Sequence, residues 1–329
     1  MINDMKASIV IPVYNSGKNL TRLLESLCNQ DADFSFEVVL ADDGSDEDYQ
    51  SLLDRFRQKL KIRYVKGKQN KGPATARNMG IKEAKGEIVV FTDSDCKPNR
   101  TWLRKMVEPF SDPSVSGVKG AYSTLQSDWF AQLAQIEFLE RYELLESQPD
   151  IDFIDTYSGA YRRKDLLAVG GFDTTFSAAD NEDVDLAFKI KKLGGKFVFA
   201  KDAIVEHLHR EGWLNYAKLK FRRGFWRMKV YSNHPEKAGN DSYTPLTLKL
   251  QLLLIALLPF ALFYRTARYL WKLFWVASCF PLMRIASHEK TLLVFIIPVF
   301  CFIRGISLVS GIISGLIAEK GKYLRHYFQ

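Results

Sequence analysis

The chain has 329 residues, enough for one large domain with an appendage, and a formal net charge of +8. That average hides a division: residues 1–209 hold 28 Lys/Arg against 33 Asp/Glu, a net of −5, whereas residues 210–329 hold 18 against 5, a net of +13. The four cysteines (Cys28, Cys96, Cys279, Cys301) are scattered without a C-x-x-C pair, which argues against a zinc-ribbon or a disulfide framework.

Residues 7–13 (ASIVIPV) predict a first strand, with a turn at 14–17 and a helix over 19–29 carrying Leu20, Leu23, Leu24 and Leu27. The opening residues show no basic stretch followed by a long apolar one, so no secretory leader and a cytosolic front half are expected. A second strand at 36–40 (FEVVL) runs into Ala41-Asp42-Asp43-Gly44-Ser45. A helix at 49–60 and a strand at 62–65 follow, then a basic glycine loop at 68–72 and a helix at 74–84. Strands and helices alternating at this spacing predict βαβ units and a mostly parallel sheet.

The stretch 88–98, IVVFTDSDCKP, is central. Its apolar, β-branched start predicts a buried strand, with Asp93 and Asp95 immediately beyond it. Ligands of open α/β sheets bind past the carboxyl ends of the strands. Two carboxylates there repel unless a cation lies between them, and oxygen ligands near a phosphate suit Mg²⁺ or Mn²⁺. An ordinary polar turn is the plainer reading of D-x-D alone.

Further on, 129–146 predicts a helix whose Glu137, Glu140, Glu143, Glu146 and Arg141 read as a solvated face. Residues 153–161 predict a strand, and 197–200 with 203–205 two late strands. Between them Asp180, Glu182, Asp183 and Asp185 cluster at a helix start, where acids complement the helix dipole or one serves as a general base. His207 and His209 flank one leucine and on a strand would share a face.

Residues 212–231 interleave aromatics with Lys218, Lys220, Arg222, Arg223, Arg227 and Lys229. That pattern suits a helix on a membrane surface or one packed on the catalytic domain. From 246 the chain turns apolar in three runs. The first and last are long enough to span; the middle, broken by Lys272 and Arg284, reads as interfacial or re-entrant. Arg304 inside the last run requires a partner or snorkelling, and the basic tail Lys320, Lys322, Arg325 predicts a cytosolic end and an even number of spans.

The motifs SIVIPVYN (8–15), ADDGS (41–45), GPATARN (72–78), TDSD (92–95), GGFD (170–173) and NEDVDL (181–186) together resemble the family 2 glycosyltransferases of GT-A fold, over about residues 6–230. The resemblance implies an α/β, Rossmann-like GT-A domain at 1–210; the basic and apolar patterns beyond it predict an interfacial helix and linker at 211–244 and membrane-associated helices at 245–329. The resemblance also implies inverting transfer from a nucleotide-diphosphate sugar to a hydroxyl of a lipid-linked or cell-envelope glycan acceptor, at the cytosolic membrane face. Pro12 and Tyr14 would line the nucleotide pocket, with Asp42 or Asp43 on base or ribose and Arg77 nearby. Asp93 and Asp95 would hold a divalent cation, Mn²⁺ or Mg²⁺, with His207 joining. Asp183 would be the base and Glu182 would position the acceptor.

The Q-x-x-R-W signature of processive synthases is not matched around 220–226. A polyprenyl-phosphate sugar synthase and a non-catalytic membrane scaffold are the alternatives. An oxidoreductase is disfavoured because no G-x-G-x-x-G follows the first strand. Nucleic acid is not expected as a partner, since the basic residues flank apolar runs.

Overall fold

The computed structural model describes residues 5–176, 180–239, 241–289 and 291–327, with side chains to Glu319. The side chains of the basic tail at 320–325, and residues 177–179 ahead of the acid cluster, therefore lie outside the described residues. The chain divides into two compact units. The first comprises 1–125 and 148–208, the second 126–147 and 209–329. The helix at 129–146, expected within 1–210, groups with the second unit.

In the first unit, β1 (Ala7–Val13), α1 (Gly17–Cys28), β2 (Phe36–Asp42), α2 (Gln50–Phe56), β3 (Ile62–Lys66), α3 (Pro73–Glu83) and β4 (Ile88–Phe91) alternate as the apolar periodicity requires. After β5 (Lys97–Pro98), α4 (Trp102–Val107) and β6 (Val115–Ser123), the chain leaves through α5 (Trp129–Glu146). It returns with β7 (Gly159–Arg162), α6 (Arg163–Ala168), α7 (Glu182–Lys191) and β8 (Lys196–Glu206). The sheet order is β3-β2-β1-β4-β7-β6-β8-β5.

β3, β2, β1 and β4 are mutually parallel, and their inner residues Ile9, Val10, Val38, Val39, Val89 and Val90 are wholly buried. Beyond β4 the sheet is mixed: β7 runs antiparallel to both β4 and β6, and β5 antiparallel to β8. The expected mostly parallel sheet is thus present, with four of its seven pairings among the described residues parallel (β1–β2, β1–β4, β2–β3 and β6–β8); the antiparallel β7 and β5 depend on the return path of the chain, which leaves no trace in apolar pattern. The strand expected at 153–161 is mostly a buried turn: a 3₁₀ turn at Thr156–Ser158 precedes β7. Asp155 there pairs with buried Lys119, which removes that stretch from the ladder. The two late strands are one, β8, crossing a register shift against β6 between Gly120 and Ala121.

β1, β2 and β4 all end at one edge. β6 and β8 run parallel to each other and antiparallel to β7, so Ser123 and His207 arrive at that same edge. Helix α3 seats against β1 through Gly80, where an added Cβ would collide with the Val10 side chain.

The second unit holds α5, α8 (Trp213–Asn233), α9 (Leu246–Phe263), α10 (Arg265–His288) and α11 (Ile297–Tyr327). Leu133, Tyr216, Leu254, Trp275, Leu282 and Phe300 share its core. The helix at 212–231, expected on a membrane surface or against the catalytic domain, packs along α11: the Leu308 carbonyl lies 2.5 Å from a Cβ built on Gly224. By length and composition Leu246–Phe263 and Ile297–Glu319 are candidate membrane spans, as the sequence predicted, and α10 is not.

Glu137, Glu140 and Arg141 are buried, contrary to the expected solvated face. Glu137 accepts from Lys220 Nζ (2.7 Å), Tyr216 Oη (2.8 Å) and Arg141 Nη2 (2.5 Å), with Arg304 3.7 Å away. The Lys220, Arg141 and Arg304 cations hold its carboxyl well below the ordinary value against the upward push of burial. Arg304 is thereby partnered, and it also donates to Gln251 at 2.6 Å. Only Glu143 and Glu146 face water.

Gly80→Ala is expected to lower stability by about 1–3 kcal/mol through overpacking on Val10. Val10→Ala in the same chain should recover part of that loss. Denaturant midpoints of the two single variants and the double variant measure it; strict additivity would deny the contact.

Candidate active site

The site is assembled at the carboxyl edge of β1, β2 and β4. Helix α3 starts where Gly72 (φ 92°) and Pro73 set its first turn. Its second turn delivers Arg77, 2 % exposed, beneath that edge. Arg77 Nη2 donates to Asp93 Oδ1 at 2.9 Å and Nη1 to Glu182 Oε1 at 2.7 Å. One guanidinium thus links the first acid of D-x-D to the E-D pair, whose Glu182 lies 105 residues from Arg77 in sequence. It lies 5.6 Å from the Phe172 ring, which meets Phe91 edge-on at 5.4 Å. Asn78, one residue on, holds the Phe172 backbone by two hydrogen bonds of 2.8 Å. The GPATARN and GGFD motifs are therefore one packed assembly.

Glu182 and Asp183 open α7, preceded by Asn181 in the left-handed region (φ 68°). Glu182 is 2 % exposed, and its Oε2 has no hydrogen-bond partner among the described residues. Burial, then the Asp183 charge, push its carboxyl up to about 7, with Arg77 pulling the other way. Asp183 is half-exposed and accepts its neighbour's backbone N–H. Asp185 is buried in an ion pair with Lys189 at 2.7 Å, which leaves it a structural role. Asp180 is buried too.

Asp93 and Asp95 part company. Asp93 belongs to Arg77, whereas Asp95 joins Cys96 and His207, whose potential ligand atoms lie within 4.8 Å of one another. The His207 ring rests against Tyr157 at 5.2 Å and Tyr122 at 5.6 Å. Burial, then Asp93 and Asp95, push the Cys96 thiol well above its ordinary value, so it stays protonated at neutral pH. What the cluster offers is a carboxylate and an imidazole, a donor set that suits Mn²⁺ or Mg²⁺ better than a thiophilic ion. Cys96 was not legible as a member: a lone cysteine after D-x-D carries no signal, and only the return of β8 brings His207 beside it.

His209, the second histidine candidate, is elsewhere. β8 ends at Glu206, so the two histidines do not share a strand face. His209 sits in the second unit, stacked on Phe138 at 5.7 Å with Nε2 3.0 Å from Gln135 Oε1.

On the other side, Tyr14 stands exposed after β1 and Pro12 is half-buried. Asp42 is fully buried; its oxygens accept from the Ser45 N–H (2.8 Å) and the Tyr64 hydroxyl (2.5 Å). Asp43 accepts the backbone N–H groups of Lys71 (3.0 Å) and Gly72 (2.6 Å), while burial raises its carboxyl above the ordinary value. Both acids therefore brace the loops at the carboxyl edge of the sheet. The Lys71 side chain is exposed.

The family model described as Glycosyl transferase family 2 matches residues 8–170. An uncharacterized glycosyltransferase, YfnE, of Bacillus subtilis is 26% identical over 253 residues, covering 62% of this chain and 64% of its own. The pre-mycofactocin glycosyltransferase of Mycobacterium tuberculosis is 29% identical over 246 residues, covering 70% and 49%. The chain thus spans half to two-thirds of these relatives' lengths. Among solved structures, the mannosyltransferase PcManGT of Pyrobaculum calidifontis, in complex with GDP-Man and Mn²⁺, superposes with a TM-score of 0.62 at 20% identity. The match covers 94% of this chain and 87% of that one, and it identifies the fold as GT-A.

A carboxyl raised in the folded state binds more protons there than in the unfolded chain. Stability from Glu182 is therefore full below about 4.5 and declines as pH rises towards about 7. Glu182→Gln should flatten this part of the pH dependence. Thermal midpoints from pH 4.5 to 8 test it; an unchanged slope would show that Glu182 is ionised throughout.

Proposed function

The chain belongs to glycosyl transferase family 2, and on that premise we propose that it is an inverting, metal-dependent enzyme. It moves a sugar from a nucleotide-diphosphate donor to a hydroxyl of a lipid-linked or envelope-glycan acceptor. The observation that carries this reading is the Arg77 bridge, which unites Asp93 with Glu182 and so gathers the D-x-D and E-D motifs in one crevice.

In this reading Pro12 and Tyr14 receive the nucleotide, and Asp42 and Asp43 shape its base and ribose pocket by fixing the turns after β2. Asp95 and His207 hold a divalent cation, which when bound supplies positive charge against the leaving diphosphate. Arg77 keeps Asp93 oriented towards the donor and Glu182 ionisable near neutrality. Asp183, half-exposed and within the same acid set, takes the proton from the acceptor hydroxyl as it attacks in line. Glu182, largely shielded from water, positions that acceptor. The anomeric carbon passes through an oxocarbenium-like state, as in glycoside hydrolysis. Residues 1–210 carry the transfer, and 211–244 with 245–329 attach the chain to the cytosolic face of a membrane.

Detergent-purified protein incubated with UDP-, GDP- and dTDP-sugars, with and without Mn²⁺ or Mg²⁺, tests the assignment by nucleotide release. One donor should respond, metal-dependently, and Asp95→Ala should abolish the metal dependence. Silence across the panel together with no donor binding would favour a non-catalytic scaffold.

Asp183→Asn should lower transfer by about 10²–10⁴-fold, the range of a lost general base, while sparing nucleotide binding. Near wild-type transfer by that variant would remove Asp183 from the role.

A further inference from the structure

We propose that the second unit occupies a single leaflet: the α9–α10 pair lies in an anionic membrane interface, its joint at Tyr264 does not reach the far aqueous face, and α11 does not cross. This rests on the membrane reading above and specifies it.

Helix α8 runs parallel to α11. Tyr216 meets Phe300 with ring centroids 4.8 Å apart, and Lys220 and Arg304 converge on Glu137. Gly224 faces the Leu308 carbonyl, and the Phe225 carbonyl lies 2.5 Å from a Cβ built on Gly315. Gly311 and Gly315 form a G-x-x-x-G face that lets the two backbones close. α8 therefore tracks α11 from residue 300 to 315, about 22 Å at 1.5 Å per residue.

Over that length α8 carries Lys218, Lys220, Arg222, Arg223 and Arg227, with Lys218 and Arg222 exposed. A spanning α11 would take these cations to hydrocarbon depth beside it, where each is strongly unfavourable. Packing takes up part of the apolar run of α11, with Ile297, Phe300 and Cys301 buried in the unit's core, while Val299, Ile306, Ile313, Leu316 and Ile317 face outward and meet the same leaflet.

Trp271 Nε1 donates to the Leu254 carbonyl (2.7 Å), and Gln251 Nε2 to the Ser278 carbonyl (3.1 Å), which tie α9 and α10 together. Outward, α9 exposes Leu253, Leu257, Phe260 and Phe263. α10 exposes Tyr269, Leu273, Val276 and Phe280, spaced as one helix face. Arg265, Arg268 and Lys272 line the adjacent face of α10 and are exposed. An apolar face with a cationic flank suits an interfacial helix and anionic headgroups. Crossing would carry those three cations to the far side, against the usual charge asymmetry. The uninterrupted apolar run between Lys272 and Arg284 is also only about 16 Å long, half of a ~30 Å core.

The test uses the full chain with Cys28→Ser, whose remaining cysteines are buried, expressed in bacterial cells. Lys218→Cys, Tyr264→Cys and Glu319→Cys are each exposed to a membrane-impermeant maleimide in spheroplasts and in inverted vesicles. The expected result is that Glu319→Cys and Lys218→Cys react only in inverted vesicles, and Tyr264→Cys does not react in spheroplasts. Tyr264→Cys or Glu319→Cys reacting in spheroplasts would overturn the single-leaflet arrangement.

Recovery of the chain in the soluble fraction would instead overturn the membrane reading itself. Flotation on vesicles with and without phosphatidylglycerol completes the test. Arg265→Gln/Arg268→Gln/Lys272→Gln should weaken binding to the anionic vesicles by about tenfold or more; unchanged binding would deny the anionic preference.

Discussion

The first unit depends on one guanidinium. Arg77 is buried with a carboxylate on each side, Asp93 from the end of β4 and Glu182 from the start of α7. Removing one partner of such a buried pair typically costs about 3–5 kcal/mol, because a charge is left unpaired. Glu182, unfavourable to bury alone, and the partly exposed Asp93 come from distant elements and are thereby held within a few ångströms. The consequence is chemical as well as mechanical: Asp183 stands beside a Glu182 whose proton affinity is raised by burial and by Asp183 itself. Neighbouring carboxyls with different environments are what acid–base chemistry near neutrality uses.

The second unit repeats the device with the signs reversed. Glu137 is one buried anion surrounded by Lys220, Arg141 and Arg304. These come from α8, α5 and α11, so a single carboxylate fixes three helices at one level. Its hydrogen bonds are satisfied by Lys220, Arg141 and Tyr216, which is the condition under which burying an ion is tolerated. The basic composition of residues 210–329 is thus not wholly a surface property; part of it is internal.

Much of the first unit was legible in the sequence because its signals are local. The runs at 7–13, 36–40 and 88–91 are β-branched and bounded by turn residues, and strands form there. Leucines at 20, 23, 24 and 27 mark the buried face of α1. The acids after β2 and β4 sit at the strand ends that spacing assigns them. What failed was the reading of charge by position alone. Glu137 and Glu140 look solvated on their own helix because their partners lie 83 and 107 residues away. His207 and His209 look equivalent as H-x-H, yet β8 stops before them and they enter different units.

The sequence by itself determined the alternation of strands and helices, the edge at which acids collect, and the family to which six short motifs belong. These follow from side-chain period and turn chemistry, which act over a few residues. Tertiary structure alone decided that β7 runs antiparallel, that α5 groups with the C-terminal helices, and that Arg77 serves two carboxylates. It likewise decided that Asp95, and not Asp93, stands with Cys96 and His207. Each of these depends on chain segments many tens of residues apart meeting in space. No local pattern encodes such a meeting, because its free energy exists only once the partners are in contact.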